Sequence, residues 1–239
     1  MNLFLIRHGE SENNARGINQ SRKADPNLTS NGLRQSYALA EFLKKGDHLS
    51  NSESFTLNVN LDELYCSAMK RSLQTALPVS ETLDIKPEIW VDLHEVGGLY
   101  FFNEYTQIEQ GYLGLNRGQI KNIYPNYSIE NTITDKGWWF KNKEILAESN
   151  ERIESVKNKL LEKANQNTCI GLITHGGFIS IFLSLIMSLN QKSQVVFQSH
   201  NCGITCLSFR EKNQIIVQYI NNHCFLPKHL RVCRPNCDI

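Results

Sequence analysis

Two short apolar segments that each run directly into a histidine constrain the fold of this chain most. Residues 3–6 are followed by Arg-His-Gly at positions 7–9, and residues 169–173 are followed by Thr-His-Gly-Gly at positions 174–177. Continuous apolar runs of this length are typical of strands that are buried on both faces of a sheet. Ligands in α/β sheets bind beyond the carboxyl ends of the strands. The pattern therefore predicts an α/β fold with both histidines at one candidate site.

Helical periodicity follows the first of these strands. An N-cap at Thr29 precedes apolar residues at helical spacing, namely Leu33, Tyr37, Ala40 and Leu43. Ser67 ends a predicted strand at residues 61–67 and is predicted to cap a second helix, which Pro78 should end or kink. The first part of the chain is thus predicted to alternate between short strands and helices.

The second half of the chain shows the same kinds of element. Residues 143–164 are predicted to form an amphipathic helix whose core-facing residues are Ile145, Ile153, Val156 and Leu160. Residues 178–189 are apolar on nearly all sides, which predicts a buried helix. Residues 203–209 and 214–220 show the alternation of strands and predict a terminal hairpin.

The composition argues against several classes of partner. The 239 residues include 25 basic and 24 acidic ones, and a net charge of +1 does not indicate binding to nucleic acid or to an anionic membrane. The longest apolar run is too short to span a bilayer, and the N-terminus lacks a signal-peptide pattern, so we expect a cytoplasmic protein. Seven cysteines without a Cys-x-x-Cys pair do not indicate zinc; Cys169 and Cys206 are predicted core residues, while Cys233 and Cys237 lie in a polar tail.

Two further charged residues occupy positions that favour a site. Arg71 falls in the first turn of the second predicted helix, where free N–H groups favour an anion. Glu95 follows a short apolar segment and precedes a bend at Gly97 and Gly98. Each residue also has an ordinary interpretation, as a surface arginine and as an exposed acid at the start of a loop. Two histidines and two arginines at strand ends or helix starts together favour an anion-binding site.

Residues 96–140 form an irregular insertion that is rich in aromatic side chains. This segment holds ten of the 22 Phe, Trp and Tyr residues of the chain. Long ordered loops in compact domains are usually functional, which favours a flap over the site that determines substrate fit. A satellite hydrophobic cluster that only packs against the body explains the same composition equally well. Both interpretations stay open from the sequence.

Four motifs occur in order along the chain. They are Arg7-His8-Gly9-Glu10-Ser11 followed by Asn14, Leu28-Thr29 with Gly32 and Gln35, residues 67–76 around Arg71, and Thr174-His175-Gly176-Gly177. Together they resemble the landmarks of the histidine phosphatase superfamily, in its phosphoglycerate-mutase-like branch, over residues 3 to about 220. The resemblance implies a three-layer α/β/α sandwich with a mostly parallel mixed sheet. It also implies one domain over residues 1–239, with a substrate-covering insertion at 96–140 and a short C-terminal tail at 227–239.

The resemblance further implies a role for each matching residue. His8 would be the nucleophile, Glu95 the proton donor, and His175 a third catalytic residue. The residues that would bind the substrate phosphate are Arg7, Asn14, Arg71, His175 and Gly176. We expect His8 to be neutral when it attacks and His175 to be protonated as a further cationic donor.

These roles predict a phosphatase of the histidine acid phosphatase type, which hydrolyses small phosphomonoesters through a phosphohistidine on His8 without a metal or other cofactor. Residues 93–98 and 12–14 depart from the pattern of the mutases in this family, which favours hydrolysis over phosphoryl transfer to a second alcohol. A cofactor-dependent phosphoglycerate mutase and a non-catalytic protein that binds phosphorylated ligands are the alternatives. The expected partner is a small phosphorylated substrate, with neither nucleic acid nor membrane. The oligomeric state stays open, a homodimer included.

Overall fold

The structure, a computed structural model, describes residues 1–17, 21–46, 61–103, 107–189, 195–210 and 214–232. Within these residues eight strands occur: β1 Asn2–Arg7, β2 Glu63–Cys66, β3 Pro87–Ile89, β4 Tyr100–Asn103, β5 Ile108–Gly111, β6 Cys169–Thr174, β7 Ile204–Phe209 and β8 Ile215–Asn222. The helices of the same residues are α1 Glu12–Ala15, α2 Ser30–Lys45, α3 Lys70–Leu83, α4 Arg117–Ile123, α5 Leu146–Glu162 and α6 Gly176–Ile186.

Six of the strands form one mixed sheet in the order β3-β2-β6-β1-β7-β8. β3, β2, β6 and β1 are parallel, whereas β7 pairs antiparallel with β1 and β8 pairs antiparallel with β7. The register places Arg7 beside Thr174 and Cys66 beside Ile173. The three central strands therefore end at the same edge of the sheet, and the residues that follow them meet there.

Alternating side chains of β1 face two different helical layers. Phe4 and Ile6 belong to the core cluster that contains the buried residues of α2 and α3. Leu3 and Leu5 belong to the cluster that contains those of α5 and α6. Because neighbouring side chains of a strand point to opposite faces, helices cover both faces of the sheet. The three-layer α/β/α fold predicted from the sequence is confirmed.

The α3 helix corrects two predictions. Its N-cap is Met69, and the side chain of Ser67 does not cap the helix. Pro78 lies inside the helix, which continues to Leu83, so the prediction that Pro78 ends the helix is wrong. A proline removes one backbone donor, but Leu73 and Val79 are fully buried on the same helix. Tertiary packing of this face outweighs the lost hydrogen bond.

Two other helices differ from the sequence prediction: α2 in which of its residues are buried, and α5 in where it begins. Leu39, Ala40 and Leu43 of α2 are buried, but Leu33 and Tyr37 are 42% and 58% exposed. The buried side instead continues through Gly32, Gln35 and Ser36, because the Gln35 amide accepts a hydrogen bond from the Glu10 N–H at 2.7 Å and donates one to the Leu230 carbonyl at 2.7 Å. Helix α5 begins at Leu146, and Ile145 is 64% exposed rather than core-facing.

The 96–140 insertion is more regular than its sequence indicates, since it contains the β4–β5 hairpin and α4. Part of it packs into the core on the α2 and α3 side, through Tyr124, Tyr127, Trp138 and Trp139. Its backbone also extends the sheet, because the N–H of Ile89 donates to the Ser128 carbonyl and the N–H of Ser128 donates to the Pro87 carbonyl, both at 2.9 Å. The packing interpretation therefore holds for these aromatic residues.

Several sequence predictions concern the ends and connections of the chain. Cys169 and Cys206 are buried as predicted. The predicted surface connection at residues 47–60 lies entirely outside the described residues, as do Cys233 and Cys237. Among the described helices, none combines the length and the hydropathy that crossing a bilayer requires.

Candidate active site

His8 follows β1 directly and is almost fully buried, with 3% of its surface exposed. Its Nδ1 lies 2.6 Å from the Gly9 carbonyl oxygen, and because a carbonyl only accepts, Nδ1 carries the proton. Nε2 then has a free electron pair, which accepts a hydrogen bond from Arg71 Nε at 3.1 Å. Burial, Arg71 and Arg7 lower the pKa of His8 well below 6.5. The structure therefore keeps His8 neutral, with the lone pair of Nε2 turned towards a guanidinium.

Arg71 lies in the first turn of α3, as predicted, but it is not a surface residue. It is 6% exposed. Burial lowers its pKa to about 10, while the carboxyl groups of Glu95 and Asp25 favour the charged form. The guanidinium consequently remains charged at neutral pH and holds a fixed positive charge beside His8.

Arg7 ends β1 and reaches the segment that precedes β7. Its Nη1 donates a hydrogen bond to the Ser199 carbonyl. A Cβ atom on Gly176 would lie 3.5 Å from Arg7 Nε, so the guanidinium lies in contact with the first residue of α6. The structure thus brings Arg7, His8, Arg71 and Gly176 together at the edge of the sheet.

His175 is the N-cap residue of α6 and is fully buried. Its ring centroid is 5.1 Å from that of His8, and its Nε2 lies 2.6 Å from Ser67 Oγ. Burial lowers the pKa of His175 well below 6.5, and the nearby Arg71 lowers it further. The sequence analysis expects a protonated His175, whereas the protein groups around the ring favour its neutral form.

The carboxyl group of Glu95 lies against the start of α6. Its Oε1 accepts hydrogen bonds from the N–H groups of Val96 and Phe178 at 2.9 and 3.0 Å, and its Oε2 accepts one from Gly177 at 3.2 Å. A Cβ atom on Gly177 would lie only 2.6 Å from Glu95 Oε1, so a glycine is required for this approach. Backbone donors therefore hold the Glu95 carboxyl group against the N-terminus of α6.

Asn14 is near His8 but contacts it only indirectly. Its Oδ1 accepts hydrogen bonds from the N–H and the hydroxyl of Ser11, at 3.1 and 3.0 Å. It also accepts one at 3.1 Å from Asn201 Nδ2, which in turn donates to the His8 carbonyl at 3.1 Å. No hydrogen bond of Asn14 Nδ2 occurs among the residues that the structure describes. Asn14 therefore supports the backbone at His8 through Asn201, and its Nδ2 is available to donate a hydrogen bond to a ligand.

The sequence did not point to the residues that hold Glu95 in place. Arg152 of α5 donates from Nη1 to the carbonyls of Asp92 and His94, at 2.6 and 3.1 Å. The same guanidinium binds both oxygens of the buried Glu144, with Nε–Oε1 at 2.9 Å and Nη2–Oε2 at 2.7 Å. This pair joins α5 to the backbone at Asp92 and His94, within three residues of Glu95. No local pattern could have shown it, because Arg152 looks like any charged residue of an amphipathic helix.

Asp25 was also missed, since Asp-Pro is typical of a loop. It is 7% exposed and its Oδ1 accepts a hydrogen bond from the N–H of Lys70 at 3.1 Å. Its Oδ2 is buried without a hydrogen-bond partner in the described part of the chain. Burial raises the pKa of Asp25 to about 6, against the attraction of Arg71. A carboxyl group that titrates near neutrality therefore lies at the same helix start as Arg71.

Metal-ligand chemistry has little support among these side chains. Over the described ranges, no group of three or more His, Cys, Asp or Glu residues is arranged to hold a metal ion. The groups gathered here instead suit a phosphate, since two guanidiniums, two imidazoles and the N-terminus of α6 lie close together at the edge of the sheet.

Comparisons with known proteins agree with this geometry. The family model described as histidine phosphatase superfamily (branch 1) matches residues 3–222. The protein named "Putative phosphoserine phosphatase 2" of Hydrogenobacter thermophilus is 27% identical over 228 residues, which are 93% of this chain and 96% of that protein.

Solved structures share the fold at low sequence identity. The alpha-ribazole phosphatase from Shigella flexneri has a TM-score of 0.60 at 22% identity, and the match covers 93% of this chain and 96% of that chain. A phosphoserine phosphatase mutant from Entamoeba histolytica, in complex with phosphoserine, also has a TM-score of 0.60 at 22% identity, with coverages of 95% and 99%. These likenesses place the six-stranded sheet and its two helical layers in a known fold.

Proposed function

Because the chain belongs to the histidine phosphatase superfamily, branch 1, we propose that it hydrolyses small phosphomonoesters through a phosphohistidine on His8, as a phosphatase of the histidine acid phosphatase type. The observation that carries this proposal is the state of His8. A buried, neutral imidazole presents the lone pair of Nε2 beside the Arg71 guanidinium. A nucleophile next to a fixed cation is what phosphoryl transfer requires.

The first step forms the phosphoenzyme. Arg7, Arg71 and His175 bind the phosphate oxygens. A phosphate oxygen replaces His8 Nε2 as the acceptor for Arg71 Nε, which frees the Nε2 lone pair. The Nε2 lone pair then attacks phosphorus as the bond to the ester oxygen breaks, and the guanidiniums stabilise the charge that spreads over the phosphoryl oxygens. The leaving alkoxide takes its proton from Glu95, which becomes a carboxylate.

The second step reverses these roles. The Glu95 carboxylate takes a proton from water, and the water oxygen attacks phosphorus as the P–N bond to His8 breaks. Phosphate leaves, His8 is again neutral and Glu95 again carries a proton, so the cycle is balanced.

The proton that Glu95 delivers to the leaving group can arrive with the substrate. A phosphomonoester has a second pKa of about 6 and can carry that proton into the pocket as its monoanion. The negative charge of the bound phosphate raises the proton affinity of His175, which would restore the cationic donor that the resemblance implies.

The relatives guide the choice of substrates to test. Two of them are named as phosphoserine phosphatases, so O-phosphoserine belongs in the panel for this chain. In the same proposal the chain is one domain over residues 1–239, in which the 96–140 insertion covers the substrate. The proposal also includes a cytoplasmic location, where the free cysteines of the described residues would stay reduced.

The test combines turnover with detection of the intermediate. The purified protein is incubated with p-nitrophenyl phosphate and with O-phosphoserine, and released phosphate and acid-labile phosphoenzyme are measured. We expect turnover that survives a chelator, a phosphoenzyme in the quenched protein, and loss of both in His8→Ala. The exposed His229 provides the matched control, since His229→Ala should leave both unchanged.

Three results would count against the proposal. Phosphate binding without turnover would identify a binding protein. Interconversion of phosphoglycerates that depends on a bisphosphate primer would identify a mutase. Turnover retained in His8→Ala would exclude His8 as the nucleophile.

A further inference from the structure

Ser67 is the first residue after β2, and its hydroxyl faces the candidate site rather than the helix that follows. The residue is fully buried, and its Oγ lies 2.6 Å from His175 Nε2. The same oxygen accepts a hydrogen bond from the N–H of Met69 at 3.4 Å. The partners are 108 residues apart in sequence, and the parallel pairing of β2 with β6 brings them together.

The acceptors available to the Ser67 hydroxyl indicate where the hydrogens lie. A serine hydroxyl has one hydrogen and two lone pairs, and the N–H of Met69 occupies one lone pair. Among the described residues, the acceptor within reach of the hydroxyl hydrogen is His175 Nε2, so in the neutral ring the hydroxyl donates to Nε2, which then has no proton of its own. The ring proton is consequently on Nδ1, which is buried and has no hydrogen-bond partner among the described residues. An N–H donor without a partner is costly to bury, and an oxygen of a bound anion would satisfy it.

We propose that Ser67 is a positioning residue that holds His175 as the Nδ1–H tautomer, so that Nδ1–H is the donor to the substrate's phosphate. The inference rests on the proposed function and names a residue that acts through His175. If His175 gains a second proton in the presence of a phosphate dianion, the Ser67 hydroxyl rotates and accepts from Nε2–H. One hydroxyl can therefore serve both protonation states without movement of the backbone.

A purely structural role for this turn belongs to a different serine. The N–H of Ser67 donates to Ser72 Oγ at 3.1 Å, and the Ser72 hydroxyl donates to the Ile173 carbonyl at 2.7 Å. These two bonds join the start of α3 to β6, and neither involves the Ser67 hydroxyl. Ser72→Ala is therefore the matched control, because it removes a buried serine hydroxyl from the same turn and leaves the contact with His175.

The direct readout is the tautomer of His175. Protein with 15N-labelled histidine is studied by NMR, and the signals of His175 among the seven histidines are assigned by their loss in His175→Gln. We expect a protonated Nδ1 and an unprotonated Nε2 in the wild type and in Ser72→Ala. In Ser67→Ala, where Nε2 loses its partner, we expect a substantial population with the proton on Nε2.

The functional readout uses inorganic phosphate as the probe. We expect Ser67→Ala to weaken phosphate binding and to lower kcat/KM for p-nitrophenyl phosphate by about tenfold each, the effect of one lost hydrogen bond to a charged group. Ser67→Thr, which keeps a hydroxyl, should restore the Nδ1–H tautomer and most of the affinity. It also keeps the test decisive should the alanine variant fold poorly.

Two outcomes would overturn the inference: an Nε2–H tautomer in the wild type, or an unchanged tautomer and phosphate affinity in Ser67→Ala. Both measurements are made without turnover, so they stand apart from the proposed function. Loss of the phosphoenzyme with an intact Nδ1–H tautomer and phosphate affinity would contradict the nucleophilic role of His8 and leave the role of Ser67 in place.

Discussion

The two sides of the pocket are built in different ways. On the sheet side, His8, Arg71 and His175 are at most 6% exposed and lie at the ends of strands or the start of a helix. On the opposite side, Glu95 is only partly buried and lies on a turn after β3. The Tyr100 ring beyond it lies between two cations, 5.9 Å from the Arg22 guanidinium carbon and 4.9 Å from Lys143 Nζ.

This difference indicates which part of the site fixes the position of the phosphate and which part can vary in sequence. Strand ends in one sheet have fixed relative positions, so the charges that would bind a phosphate are in place before a substrate arrives. Glu95 lies in a loop, and Tyr100 begins the outlying strand β4 that follows this loop; loops tolerate changes of sequence and length more readily. We therefore expect substitutions on the sheet side to abolish activity towards every phosphomonoester, and substitutions on the loop side to alter the preference among them.

The largest effect should come from Arg71. In Arg71→Met the fixed charge beside His8 is lost, and we expect kcat/KM to fall by about 10³-fold for all substrates, as when one preorganised donor is removed from an active site. The measurement is phosphate release from one aryl and one alkyl ester. Lys70→Met removes the neighbouring cation, which is partly exposed, and should change kcat/KM by no more than about threefold. A loss of kcat/KM in Arg71→Met that differed strongly between the two esters would contradict the view that the sheet side acts on all substrates alike.

The next effect concerns stability on the loop side. The guanidinium of Arg152 is 9% exposed and the carboxylate of Glu144 is 1% exposed, so Arg152→Met removes the cation that binds both oxygens of a buried carboxylate. We expect the free energy of unfolding to fall by about 3 kcal/mol in a denaturant titration. The exposed pair of Lys159 with Asp92, 3.4 Å apart, is the matched control, and Lys159→Met should cost less than about 1 kcal/mol. Equal losses would show that burial of the pair does not matter.

Glu95→Gln should separate leaving groups. The amide cannot donate a carboxyl proton, so we expect kcat for an alkyl phosphate to fall by about 10²-fold. Aryl oxides leave with little protonation, and turnover of p-nitrophenyl phosphate should fall much less. The exposed Glu88 of β3 gives the control Glu88→Gln, with no expected change. Similar losses with both esters would argue that Glu95 does not protonate the leaving group.

The smallest effect for a single residue is a pH dependence of stability. The pKa values of His8, His94 and His175 are lowered in the folded protein, mainly by burial, so the unfolded chain binds protons first as the pH falls through 6.5. Each histidine should then lower the free energy of unfolding by about 1.4 kcal/mol per pH unit below 6.5. Asp25 acts in the opposite sense between pH 6 and its unfolded value of 3.8, because its folded pKa is raised.

Urea titrations at pH 7.5 and 5.5 measure this slope. His175→Gln should reduce it by the share of one histidine, whereas His229→Gln, at an exposed position, should not change it. A wild-type protein that is equally stable at both pH values would contradict the burial of neutral histidines on the sheet side.

The sequence predicted the sheet side well because its signals are local. A buried strand that ends in Arg7 and His8, or one that ends just before His175, shows its chemistry within a few residues. The contacts of Ser67 and Arg152 are not local, since their partners lie 108 residues away in one case and 58 to 60 residues away in the other. Ile145 shows the same limit on a helix, because apolar character alone did not reveal that α5 begins after it.

The pairing of Ser128 with β3 restricts how the insertion could be exchanged between relatives. Transplanting a complete loop at 96–140 to redirect specificity would uncover the outer strand and remove the bond from the Tyr127 hydroxyl to the Leu73 carbonyl, 2.9 Å long. An uncovered strand is a template for aggregation. A chimaera that replaces only residues 99–115 and keeps 124–129 would leave the edge of β3 covered by Ser128. Specificity and solubility could then be engineered separately.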